Sequence, residues 1–151
     1  MPSQTTLFGN KIVLNIHEAR DTLIEYLRSK GYSIVKVVPS NFGRHYIIYV
    51  RDPVLNDMQR YYLVYQRRWF ESFPKYYGIP EEAVSINLSI LHRIVAHEIP
   101  YIVWCNIDGK LFMIPSKKAQ KLVRKHGWIR KTEKTGETVA HIPLSKLIKL
   151  R

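Results

Sequence analysis

Two stretches hold most of the groups that could do chemistry. The first is Tyr61–Phe70, which reads Tyr-Tyr-Leu-Val-Tyr-Gln-Arg-Arg-Trp-Phe and places Gln66, Arg67 and Arg68 at the end of an aromatic-rich run without Gly or Pro. Such a run suits a pleated, half-buried strand. Side chains alternate with period two, so Leu63, Tyr65, Arg67 and Trp69 share one face, while Val64, Gln66, Arg68 and Phe70 share the other. A guanidinium or amide buried without partners costs on the order of several kcal/mol. Either the strand leaves the sheet here and its arginines are solvated, or it ends in a polar cleft directed at phosphate.

The second stretch is basic. Lys117, Lys118, Lys121, Arg124 and Lys125 fall within one helical segment, followed by Arg130, Lys131 and Lys134. Helical spacing brings Lys117, Lys121, Arg124 and Lys125 close to one face, with Ala119, Leu122 and Val123 opposite or flanking. A solvated face and a phosphate-binding face both fit that pattern. The overall balance favours phosphate: 24 Lys and Arg stand against 12 acids, a net charge of +12 in 151 residues. Contacts of this kind give salt-sensitive, sequence-independent affinity for nucleic acid. Trp69, Phe70, Phe73, Tyr76 and Tyr77 are of the type that stacks on unpaired bases, or that covers a core.

Familiar signatures of other chemistries are missing. The chain has no P-loop, no dinucleotide fingerprint and no Gly-x-Ser-x-Gly elbow. A single cysteine and the His92/His97 pair, five apart, supply no standard zinc set. His45, His126 and His141 lack a spaced partner and read as bystanders. One cysteine, Cys105, suits a reducing compartment, and residues 1–10 lack the blocks of a signal peptide, so a cytoplasmic protein is expected. The apolar runs are far short of the roughly 20 residues of a spanning helix, so no membrane partner is expected.

The elements that must position these groups follow from periodicity. The length points to a single domain over 1–151, with a flexible arm at 1–10. Asn15 with Glu18 three residues on has capping-box spacing, and Ile16, Ala19, Leu23, Ile24 and Leu27 share a face until Gly31, which predicts a helix over Ile16–Lys30. Strands are expected at Ser33–Val38, His45–Arg51 and Tyr61–Phe70, forming an antiparallel meander. Pro80-Glu81-Glu82 reads as a helix start, with apolar spacing continuing to about His97. Tyr101–Asn106 and Leu111–Ile114 flank an Asp108-Gly109 turn and form a hairpin. Ser116 caps a basic helix over Lys117–His126, ended by Gly127. The tail holds Trp128–Lys131, a Thr135-Gly136 turn, Val139–Ile142 and a helical turn at Ser145–Leu150. The order αβββαββα plus tail gives an α/β fold, a mixed central sheet flanked by helices.

In this order several strings are similar to a family. Glu18–Ser40, His45-Tyr-Ile-Ile48, Tyr62–Arg68, and Ile99–Trp104 with Leu111–Ile114 resemble the core of archaeal Holliday-junction resolvases, members of the PD-(D/E)XK or restriction-endonuclease-like nuclease superfamily. The resemblance spans about residues 16–115 as a nuclease-like core, leaving 116–151 as basic helix and tail. It implies a catalytic centre in which helix one gives an acid, strand two an Asp, and strand three Glu-x-Lys, around Mg²⁺ or Mn²⁺. On this chain the helix acid falls on Glu18, and the second-strand Asp on Tyr46, with Asp52 the nearest carboxylate. Glu-x-Lys falls on Gln66-x-Arg68, or on Tyr65-x-Arg67 one residue away. The expected site is therefore Glu18 and Asp52 as metal ligands, Gln66 completing the shell and Arg68 with Arg67 on the phosphate. Three functions stay open: a divalent-metal-dependent endonuclease acting on DNA, a module that keeps the fold without the chemistry and binds duplex or branched DNA, or an RNA-binding or protein-assembly role. A homodimer is implied by the resemblance only.

Overall fold

The computed structural model describes residues 12–69, 82–132 and 135–151. Among them α1 (Ile16–Ser29) opens the fold as expected: the Asn15 side chain accepts the Glu18 N–H, and Ala19, Leu23 and Leu27 are buried at the spacing of one face. Then come β1 (Ser33–Pro39), β2 (Tyr46–Arg51), β3 (Met58–Tyr65), β4 (Ala83–Asn87), α2 (Leu88–Ala96), β5 (Tyr101–Cys105), β6 (Leu111–Pro115), α3 (Ser116–His126), β7 (Ile129–Lys131), β8 (Thr138–Pro143), a 3₁₀ turn at Leu144–Lys146, and β9 (Ile148–Lys149).

A six-stranded mixed sheet has the order β1-β2-β3-β5-β6-β9. Its pairs are antiparallel except β3 and β5, which run parallel with Tyr61 opposite Tyr101 and Tyr65 opposite Cys105. A parallel pair needs a long crossover and has both faces covered. Accordingly Tyr61–Val64 is a continuous buried run. Tyr61 and Leu63 pack under α1 with Ile48, Val50 and Val103, whereas Tyr62 and Val64 pack against Leu91, Ile94, Trp104 and Val123 on the opposite face. A second, three-stranded antiparallel sheet, β4-β8-β7, joins α2 and α3 on that opposite face.

Four expectations change. The helix expected from Pro80 begins only at Leu88, capped by Asn87, because Ala83–Asn87 is a strand paired with β8. Val84, Leu88 and Leu91 mimic helical spacing, but Val84 and Ile86 alternate into the core, and their ladder partner lies more than 50 residues away in sequence, roughly counted, where no local pattern reaches it. β3 begins at Met58 and ends at Tyr65, so Gln66, Arg67 and Arg68 follow the strand instead of lying within it. Ser116 does not cap α3; its Oγ donates to the Ile99 carbonyl at 2.6 Å. The turn expected at Ser145–Leu150 is a 3₁₀ turn followed by a strand that pairs with β6. Phe70, Phe73, Tyr76 and Tyr77 lie outside the described residues.

Candidate functional site

The carboxyl ends of the parallel pair β3/β5 form the place where an α/β sheet offers exposed groups to a ligand. The chain leaving β3 is held there by backbone bonds: Gln66 N–H donates to Cys105 O at 2.9 Å, and Ile107 N–H to Arg67 O at 3.0 Å. The approach to α1 is fixed at the same end, since Val13 N–H donates to Ile107 O at 2.8 Å. β2 starts here too, with Tyr46 opposite Leu63.

On the α1 side these constraints bring together His17, Arg20 and Tyr46, with Tyr65 on the same face of the sheet. The Tyr46 hydroxyl lies 2.9 Å from His17 Nδ1 and accepts from Arg20 Nη1 at 3.3 Å. The Arg20 guanidinium stands 5.1 Å above the Tyr46 ring and is paired with Asp21 at 3.1 Å, which holds its pKa above the ordinary value. The Tyr65 hydroxyl donates to the Val13 carbonyl. Burial raises the Tyr65 phenol, with Cys105 and Glu18 adding to the shift and Arg67 opposing it. Arg67 and Arg68 are exposed.

The other side of the same strand end is a closed polar chain. Gln66 Oε1 accepts the Ser85 N–H at 2.7 Å, and its Nε2 donates to Arg68 O at 2.9 Å. Ser85 O accepts Trp104 Nε1–H at 3.0 Å, Ser85 Oγ lies 2.8 Å from His141 Nδ1, and Arg130 Nε donates to His141 Nε2 at 3.4 Å. His141 is buried, and burial with the adjacent Arg130 lowers its pKa to about 4. A comparable buried group closes the β1–β2 turn: Tyr62 Oη meets Ser40 Oγ at 3.0 Å and His45 Nδ1 at 2.8 Å, and burial pushes the tyrosine up to about 12 and the histidine down to about 4.

The residues expected to hold metal are not brought together. Glu18 sits at the Tyr46 end of β2, and one carboxylate oxygen accepts the Leu14 N–H in the cap of α1. Asp52 follows the opposite end of β2, six residues from Tyr46, a span of about 20 Å in a strand. Its Oδ1 closes a turn by accepting Val54 N–H at 2.7 Å and Leu55 N–H at 2.9 Å. Gln66 faces away from Glu18 with its oxygen occupied. This donor set does not fit a shared Mg²⁺ or Mn²⁺, and among the described residues no group of three or more His, Cys, Asp and Glu could hold an ion. Of the two registers, Tyr65-x-Arg67 faces α1. His17 and Arg20 were invisible as site residues because they flank the cap without a motif; their signal is the i, i+3 spacing that puts both on the side facing β2.

The basic helix keeps its expected form. Lys117, Lys118, Lys121, Arg124 and Lys125 are all exposed, and none is ion-paired among the described residues. Ala119 and Val123 are buried beneath them. Gly127, in the left-handed conformation at φ 62, ends the helix and delivers Trp128 onto Ala83, whose carbonyl lies 3.5 Å from Gln66 Nε2. The last turn of α3 therefore lies toward the strand end that bears Arg67 and Arg68. Lys131 is exposed beyond it on β7, and Arg130 is half-buried. No helix among the described residues is long and apolar enough to cross a membrane.

No protein-family model matches the chain, and no curated protein is significantly similar to it. Among solved structures, a nuclease from a fusselovirus is similar in fold, with a TM-score of 0.50 and 15% sequence identity over 93% of this chain and 91% of that one. The chain therefore has a nuclease-like mixed α/β fold.

Proposed function

We propose that this chain is a nucleic-acid-binding protein on a restriction-endonuclease-like fold of the PD-(D/E)XK type, with DNA lying along α3 and across the carboxyl ends of β3 and β5. The observation that carries this reading is the row of five exposed cations on α3, none of them ion-paired among the described residues, leading toward Arg67 and Arg68. Lys117, Lys118, Lys121, Arg124, Lys125 and Lys131 take phosphates as point charges or forks, and Arg130 is held in place by His141. The likeness to a fusselovirus nuclease supports the fold on which this reading rests.

Hydrolysis by Mg²⁺ or Mn²⁺ held between Glu18 and Asp52 is not part of this reading, because the two carboxylates stand at opposite ends of β2. Binding is tested by fluorescence anisotropy of labelled duplex, single-stranded and four-way-junction DNA in EDTA, across a salt series. The expected result is affinity that falls linearly in log salt, with a slope of about −0.9 per phosphate neutralised on duplex. Salt-independent or undetectable binding to every substrate would overturn the proposal.

A further inference from the structure

The geometry points to Tyr46 as a nucleophile toward a nucleic-acid phosphodiester, with His17 as its base and Arg20 as the cation on the reacting phosphate. The inference rests on the reading that nucleic acid reaches this end of the sheet, and it goes beyond that reading by assigning the end a metal-independent reaction.

A phenol attacks phosphorus only when something takes its proton and something offsets the charge that builds on the phosphate oxygens. Both partners are in place. His17 Nδ1 lies 2.9 Å from Tyr46 Oη, within the reach required of a general base. Arg20 Nη1 lies 3.3 Å from the same oxygen, and Asp21 holds the guanidinium from behind at 3.1 Å. His17 and Arg20 come from successive turns of a capped helix, so their spacing is set by backbone geometry. Tyr46 is ladder-paired on both sides, to Pro39 on β1 and to Leu63 on β3, which fixes the attacking oxygen against the sheet. The His17–Tyr46 pair is exposed. A tyrosine that served only to pack would not need two polar side chains converging on its hydroxyl at the surface.

The step balances without a co-reactant. Tyr46 Oη forms a bond to phosphorus as one sugar oxygen leaves, giving a phosphotyrosyl enzyme and a strand end with a free hydroxyl. The phenolic proton passes to His17, and the leaving oxygen takes a proton from that imidazolium or from solvent. One phosphoester replaces another, so attack by the free hydroxyl reseals the strand and regenerates the phenol.

The test uses the full chain and a labelled duplex carrying a nick near the labelled phosphate, so that the released fragment diffuses away and the adduct accumulates. Reactions run in EDTA, are quenched in SDS and are analysed for label migrating with protein, with mass spectrometry of the tryptic peptide containing Tyr46. The expected result is an SDS-resistant adduct on Tyr46. It should be lost at least about a hundredfold in Tyr46→Phe and reduced about tenfold or more in His17→Ala, with both variants folded by circular dichroism and still binding duplex. Wild-type protein that binds the duplex without forming an adduct, or an adduct that persists in Tyr46→Phe, would overturn the inference while leaving the binding proposal intact. Failure of the wild type to bind would overturn both.

Discussion

Gln66 and Arg67 are neighbours in sequence and opposites in use. Gln66 turns toward β4, where every polar atom of its amide is engaged: it holds the Ser85 N–H and ties the end of β3 to the second sheet. Arg67, which alternation puts on the other face, is exposed to solvent, and no carboxylate pairs with its guanidinium among the described residues. The difference teaches that polar residues at the end of a central strand fall into two kinds. Those facing a second layer of the fold satisfy buried backbone, and those facing the open side keep their charge available. A similar contrast separates Asp52, engaged in a turn, from the cations of α3, none of which is ion-paired among the described residues.

The largest effect is expected from reversing the charge of the exposed cations on α3. The triple variant Lys121→Glu, Arg124→Glu, Lys125→Glu should weaken duplex binding at least about a hundredfold near 0.1 M salt, with a shallower salt slope and an unchanged melting temperature, since each side chain is exposed. On the closed side, Gln66→Ala leaves the Ser85 N–H without its acceptor and should cost about 1–3 kcal/mol in denaturant unfolding.

Acid probes two imidazoles on the closed side of the strand, buried His141 and half-buried His45. His45 and His141 are held near pKa 4 in the fold, by burial in both and by Arg130 as well for His141, against an ordinary value near 6.5. The unfolded chain therefore takes up protons first as pH falls. Their contribution to stability is complete above about pH 6.5 and is lost progressively down to about pH 4. Urea melts from pH 8 to 4 should show that decline, and His45→Gln should flatten part of it. The smallest effect belongs to Asp52→Ala: loss of two local turn bonds should cost about 1 kcal/mol, and duplex affinity should not change.

Much of the fold was legible because its signals are local. The Asn15/Glu18 cap, the Asp108-Gly109 turn and the face of α3 over Ala119 and Val123 need only near neighbours, and each stands where periodicity places it. β4 was not legible, because Val84 and Ile86 find their partners on β8 and only the assembled second sheet distinguishes that strand from a helix start. The site was half legible. Alternation along β3 separates Arg67 from Gln66 correctly, but which of the two faces α1 depends on the parallel pairing with β5. The Glu18/Asp52 pairing failed for a plain geometric reason, that a six-residue strand lies between their ends of β2. Tyr46 falls where the resemblance asks for the second-strand Asp, a carboxylate it cannot replace, so it was not among the expected site residues, and its partners His17 and Arg20 emerge only when α1 is laid across β2.

The most direct test of this division is the duplex affinity of two single variants at adjacent positions, Arg67→Glu and Gln66→Ala, measured under identical salt by anisotropy. The account predicts that Arg67→Glu weakens binding about tenfold or more while Gln66→Ala, once folded, binds as the wild type does. Equal losses in both variants, or a loss confined to Gln66→Ala, would contradict it.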